Sequence, residues 1–108
     1  MPSTTIARGN SLQTFYVAPS ITPSAVSSAT TAAQTFSLPG LLTTDIVTVV
    51  GYNGSQTAGI IIAEADCLTA NVLTIQFGNV TAGSVTPASG VYTLQIVRSD
   101  GPLPVTAV

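Results

Sequence analysis

The strongest constraint on the fold is a two-residue repeat of apolar and polar side chains near the end of the chain. Between residues 90 and 98, Tyr92, Leu94 and Ile96 alternate with threonine and glutamine. Successive side chains of a β-strand point to opposite faces of a sheet, so this spacing places the apolar row on one face. No segment shows a helical period of comparable quality. The alternation therefore predicts an all-β domain.

Further strand-like segments are separated by glycine, proline and asparagine. They cover residues 34–38, 45–52, 57–63, 71–78 and, more weakly, 80–86. Asn53-Gly54 is typical of a two-residue hairpin turn and predicts antiparallel pairing of 45–52 with 57–63. Short strands with frequent turns predict a single β-sandwich of jelly-roll or Greek-key type.

The first 30 residues differ from the rest of the chain. They contain three prolines and a stretch rich in serine, threonine and alanine, with one strand-like island at 14–17. Such a segment buries little surface by itself, so we expect an extended N-terminal arm over residues 1–30. A β-sandwich body with a short C-terminal tail follows over residues 31–108. In the alternative interpretation, Phe15 and Val17 form the first strand of the domain.

Charged side chains are scarce, at 6% of residues against about 25% in ordinary soluble domains. Two arginines in a chain of net charge −2 cannot neutralise a run of phosphates, so we expect no nucleic-acid partner. An anionic membrane surface would not attract the chain either. The apolar run 58–63 is too short to span a bilayer, and the first 17 residues do not resemble a signal peptide.

The residues needed for catalysis are also scarce. The chain has no histidine and no lysine, so a nucleophilic serine or cysteine would lack its usual base. Phosphate-binding loops, zinc-type Cys/His spacings and acidic calcium loops are absent from the sequence. We therefore expect a protein that is not an enzyme and has no cofactor or bound metal.

A few polar residues have two possible interpretations. Glu64 and Asp66 could hold a metal on one strand face, although we favour a solvated strand end. Asp45 could pair with Arg98 if their strands lie close. Tyr52, like Tyr16, could stack on a sugar, but we interpret both as half-buried strand residues.

Two segments, 46–50 and 60–62, are apolar on both faces of a strand. One face would meet the other sheet and the second a neighbouring subunit. Lysine, the usual protection of exposed sheet edges, is absent, which also indicates covering by neighbours. The candidate interface residues are Val47, Val49, Ile60 and Ile62.

Most of the body, residues 45–98, has the sequence DIVTVVGYNGSQTAGIIIAEADCLTANVLTIQFGNVTAGSVTPASGVYTLQIVR. This segment resembles small virion proteins of tailed bacteriophages. The shared features are threonine-rich alternating strands, a scarcity of lysine and a stretch such as LTIQFGNVTAGSVTPASGVYTLQIV. The resemblance covers about half the chain and is greatest to capsid decoration, or cement, proteins.

This resemblance implies a homotrimer on the outer capsid surface of the virion that binds the major capsid (coat) protein and stabilises its lattice. The N-terminal arm would then be the capsid-binding element. Its candidate residues, chosen for their chemistry, are Ile6, Arg8, Leu12, Phe15 and Tyr16. The alternative function is a trimeric tail-fibre or receptor-binding β module.

Overall fold

The computed structural model describes residues 9–106 and contains seven strands. They are β1 (Ser11–Val17), β2 (Ser20–Ile21), β3 (Thr30–Ser37), β4 (Ile46–Tyr52), β5 (Ile60–Thr69), β6 (Val72–Asn79) and β7 (Gly90–Ser99). The described part of the chain has no helix.

The strands form two antiparallel sheets, each built around one central strand. In the first sheet, β7 pairs with β4 along one edge and with β1 and β2 along the other. In the second sheet, β6 lies between β3 and β5. The prediction of an all-β sandwich is confirmed.

The core lies between the sheets and consists mainly of the inward rows of the two central strands. These rows are buried almost completely and comprise Tyr92, Leu94 and Ile96 on β7 with Leu73, Ile75 and Phe77 on β6. The Phe77 and Tyr92 rings meet edge to face with centroids 6.4 Å apart. Both rows alternate with outward residues, and the face predicted for Tyr92, Leu94 and Ile96 is confirmed.

The hairpin predicted at Asn53-Gly54 is wrong, because β4 and β5 belong to different sheets. The Asn53 backbone N–H donates to the carbonyl oxygen of Val91 at 3.1 Å, which keeps this end of β4 aligned with β7. The chain then crosses to the second sheet and enters β5 through Gly59, whose φ is +87°. A side chain at position 59 would overlap that of Thr81, so both space and conformation favour glycine.

The tight hairpin of the structure joins β5 to β6 instead. Thr69 pairs with Val72, and Asn71 in the intervening turn has a φ of +68°, a conformation that asparagine tolerates. The Asn71 side chain accepts a hydrogen bond from the Gly40 N–H at 2.8 Å, and its backbone bonds to Leu38 and Leu41. The turn thereby anchors the loop that leads from β3 to β4.

Residues 9–30, which belong to the predicted arm, lie against the sandwich. Strand β1 runs along β7, and Phe15 and Val17 pack against the core. Farther on, Ile21 and Val26 are buried core residues. Because Phe15 and Val17 alternate with exposed residues, they can join the buried row while the rest of β1 faces outward. This is the arrangement of the alternative interpretation, in which they form the first strand.

The strand predicted at 80–86 is also wrong. Only Val85 pairs, in an isolated bridge with Val26. The buried Asn79 side chain donates to the Val26 carbonyl at 3.0 Å and accepts from the Thr81 N–H at 2.9 Å. These bonds fold the segment into a turn, because a side chain takes the place of strand partners.

An ion pair closes one end of the sandwich. The Arg98 guanidinium donates to both carboxylate oxygens of Asp45, at 2.9 and 2.8 Å, and to the Gly40 carbonyl at 3.2 Å. It also lies 5.2 Å from the centroid of the Phe15 ring. The hydrogen bond from Arg98, aided by the Leu42 N–H, holds the pKa of Asp45 below its usual value although burial opposes this. The predicted pairing of Asp45 with Arg98 is confirmed.

Replacement of Asp45 by Asn should lower the free energy of unfolding at pH 7 by about 1–3 kcal/mol, because a charge-assisted hydrogen bond is lost. The folded-state pKa lies below the ordinary value of 3.8, so this stabilisation is complete above that value and is lost as the pH falls through the folded pKa. Urea denaturation at a series of pH values should therefore show the two proteins converging in acid. The exposed Asp100→Asn variant is the control, and an equal loss in it would contradict the assignment.

Candidate functional site

The candidate site is the outer face of the first sheet, which carries no charged side chain. The residues of β7 that alternate with its buried row point outward, and their register with β1 and β4 identifies the neighbours on the same face. We call this surface the uncharged face, and it consists of Thr14, Tyr16, Ile46, Thr48, Gly51, Val91, Thr93, Gln95 and Val97.

Large apolar side chains are exposed on the uncharged face and at its margins. Tyr16 is 63% exposed and Ile46 48%. Leu12 and Val50 are exposed beside the irregular positions of β1 and β4. The Gln95 side chain donates to the Tyr16 hydroxyl at 3.2 Å, which orients the ring across β7. A face of aromatic, aliphatic and hydroxyl groups loses little hydration when another protein covers it.

The outer face of the second sheet has a different character. Glu64 lies opposite Gln76, and Asp66 lies opposite Thr74, so both carboxylates share that face. Within residues 9–106, no group of three or more His, Cys, Asp or Glu side chains is arranged to hold a metal ion. The asymmetry between the two outer faces distinguishes the uncharged face as the surface suited to a protein contact.

The four predicted interface residues belong to the core of the chain itself. Val47 and Ile60 are only 7% and 8% exposed, and Val49 and Ile62 pack against the core cluster. These side chains point inward, and the exposed residues of β4 available to a neighbour are Ile46, Thr48 and Val50. Because every residue from 46 to 50 except Thr48 is aliphatic, the sequence pattern did not distinguish the inner from the outer face.

A groove of about 240 Å³ opens where β4 and β5 lie side by side without pairing. Its walls are mostly the aliphatic side chains of Val47, Val49, Ile62 and Ala65. Glu64 is the single charged residue of its lining. The groove follows the free edges of both sheets, so a chain that paired with β4 would cover it.

The predicted capsid-binding residues are distributed over different environments. Tyr16 lies on the uncharged face, and Leu12 is exposed at its margin. Phe15 points inward beneath Arg98 and lines an apolar pocket of about 200 Å³ between β1 and the end of β3. The other two, Ile6 and Arg8, lie outside the described residues. The structure thus brings only Leu12 and Tyr16 to a surface that a partner can reach.

Tyr52 has a structural role at the opposite end of the sandwich. Its hydroxyl donates to the Ser89 carbonyl at 2.5 Å, and its ring centroid lies 4.8 Å from that of Tyr92. The Tyr92 hydroxyl donates to the Ala88 carbonyl at 2.6 Å and accepts from the Gln56 side chain at 2.9 Å. Burial raises the pKa of Tyr92. Tyr52 is half-buried, as predicted, and is not a free stacking platform. The same prediction is wrong for Tyr16, which is 63% exposed because its side chain points outward from β1.

Comparison of the chain with known protein families, curated proteins and solved structures finds no match. In the described range there is no helix long and apolar enough to cross a membrane.

The direction of side chains along β4 can be tested with matched threonine substitutions. Val47→Thr should lower the free energy of unfolding by about 1–3 kcal/mol, because it buries a hydroxyl group among aliphatic side chains. Ile46→Thr should change it by less than about 0.5 kcal/mol, because that position is exposed. Urea denaturation measures both, and a larger loss in the Ile46 variant would reverse the assignment of faces.

Proposed function

We propose that the chain is a non-catalytic virion structural protein, a capsid decoration protein that binds the outer surface of a tailed-phage head and stabilises its coat lattice. The observation that carries the proposal is the uncharged face, a complete outer sheet surface with exposed Tyr16 and Ile46 and no charged side chain. The surfaces of ordinary soluble domains carry charge of both signs, so this composition favours a surface that is covered.

The uncharged face suits repeated, modest contacts with a protein lattice. A charge buried at an interface loses hydration and needs a matched partner, whereas threonine hydroxyls and aliphatic groups adapt to a neighbouring surface at lower cost. Each contact can then be weak, because many copies on equivalent lattice sites together hold adjacent coat subunits. Tyr16 provides the largest exposed side chain for such a contact.

The N-terminal residues can add a second point of attachment. Strand β1 begins at Ser11, which pairs with Ser99 at the end of β7, so the described chain begins near the margin of the uncharged face. Ile6 and Arg8 supply an aliphatic and a cationic side chain in this segment. A deletion that tests the segment must end at residue 8, because removal of β1 would leave most of one edge of β7 unpaired.

Binding to purified, expanded phage heads tests the proposed function. Thr14→Asp places a charge on the uncharged face and should weaken binding by about tenfold or more, since a buried unpaired carboxylate costs more than 1.4 kcal/mol. The matched control is Thr35→Asp, an exposed strand threonine on the outer face of the second sheet, and it should bind like the unmodified chain. Head occupancy measured by sedimentation and image reconstruction distinguishes them.

Three results would count against the proposal. They are localisation of the chain to the tail rather than the shell, absence of binding to heads, and equal loss in the Thr14 and Thr35 variants. Removal of residues 2–8 should reduce occupancy while leaving the circular dichroism spectrum of the sandwich unchanged. If the deletion variant occupies phage heads fully, the contact is restricted to the uncharged face. The homotrimer stays a prediction.

A further inference from the structure

The two narrow sheets leave several strands with an unpaired edge. Only β6 and β7 have neighbours on both sides, so β3, β4, β5 and the β1–β2 edge each present unpaired backbone N–H and C=O groups. Such edges pair readily with other chains, and proteins normally protect them with charges, prolines, bulges or covering segments. Three of these four edges carry a charge, a proline or a covering segment.

The β5 edge is protected by charge and irregularity. Glu64 and Asp66 lie on this strand, and its register with β6 shifts between Ile62 and Glu64 and again between Asp66 and Thr69. Pairing of β5 with a copy of itself would bring two acidic strands together, with no lysine anywhere in the chain to offset them. This edge therefore resists self-association.

The β3 edge is covered by a segment of the same chain. The Gln34 side chain accepts from the Ser24 backbone N–H at 2.7 Å and donates to the Ser24 carbonyl at 2.8 Å, so it imitates a strand partner. The β1–β2 edge is interrupted by Ala18-Pro19 and by a register shift between Ser11 and Gln13. Neither edge offers a long regular row of unpaired groups.

The β4 edge has the least protection of the four, with no charge, no proline and no covering segment, and with one register shift near its C-terminal end. Residues 46–50 read Ile-Val-Thr-Val-Val, an uninterrupted β-branched run without charge or proline. Its register shift with β7 lies between Val49 and Gly51, beyond the regular part of the strand. High β-propensity, neutrality and a regular backbone are the properties that promote pairing between strands.

We propose that β4 pairs antiparallel with β4 of a second copy of this chain, with the twofold axis at Thr48. In this register Ile46 lies opposite Val50 of the partner subunit, so two exposed aliphatic side chains meet on each side of the axis. The two Thr48 side chains meet at the axis, where threonine pairs are favourable across strands. The twofold axis repeats the contact of Ile46 with Val50 on both sides, as in any isologous contact.

This pairing joins the first sheets of two copies into one continuous sheet. It satisfies the unpaired backbone groups of β4 and covers the groove between β4 and β5, whose walls are mainly aliphatic. It brings no charge of β4 against a like charge, which distinguishes this edge from β5. The contact closes with two copies, so it gives a dimer instead of the trimer that the resemblance implies, and it does not depend on binding to a phage head.

The mass of the purified chain in solution tests the dimer without any other component. Light scattering during size-exclusion chromatography should give twice the 10.9 kDa chain mass at high concentration. Thr48→Lys puts two lysines face to face at the axis and should raise the dissociation constant by about tenfold or more. Thr14→Lys is the matched control, because it adds the same charge to an exposed threonine at the opposite edge of the same sheet, and it should leave the constant unchanged within about twofold.

Cysteine cross-linking checks the register. Thr48→Cys should form a covalent dimer under a mild oxidant, because the axis brings the two sulfurs together, whereas Thr14→Cys should form no covalent dimer. The unmodified chain controls for Cys67, which is buried. A monomer at every concentration, a trimer, equal weakening by the two lysine variants, or a failure of Thr48→Cys to cross-link would each overturn the proposal. Loss of head binding in the earlier test would leave these results unaffected.

Discussion

The small width of the two sheets determines which strands form the core and which edges stay unpaired. Each sheet is three strand positions wide, so β6 and β7 alone are paired on both sides. Their inward rows form the centre of the core, and every other strand both contributes to that core and leaves one edge unpaired. Stability therefore depends on the two central strands, while the potential for assembly lies in the strands around them. A chain without lysine has to manage those edges with other residues.

The central strands could be predicted from the sequence because each has one wholly apolar and one largely polar row. For β7, the alternation of Tyr92, Leu94 and Ile96 with polar residues left only one face that could be buried. The ion pair of Asp45 with Arg98 was predictable for a related reason. Since the arginine continues the inward row of β7, its charge needs a partner at the end of the sandwich, and few acidic residues are available.

Other features could not be predicted, because they depend on contacts distant in sequence. An Asn-Gly pair predicts a hairpin only if the strands on both sides pair with each other, and here β4 pairs with β7 whereas β5 pairs with β6 in the other sheet. The faces of β4 were equally hidden, because Ile46 and Val47 are both β-branched and only the register with β7 decides which one is buried. For this reason the sequence pattern favoured the inward residues Val47 and Val49 as interface candidates. The outward residues of the same strand, such as Ile46, alternate with them.

The few charges are placed where they protect the fold and leave one surface neutral. Arg98 and Asp45 neutralise each other at the end of the sandwich, and Glu64 and Asp66 lie on the β5 edge. The uncharged face and the β4 edge receive none. Neutrality favours contact at both places. It lowers the cost of covering the uncharged face, and at the β4 edge it removes the repulsion that would keep copies apart. If selection had acted only on solubility, one lysine at Thr48 would have protected the edge without disturbing the core, because that side chain is exposed. The chain protects its three other edges but lacks this simple protection on β4. This contrast is the reason to propose that β4 pairs with another chain.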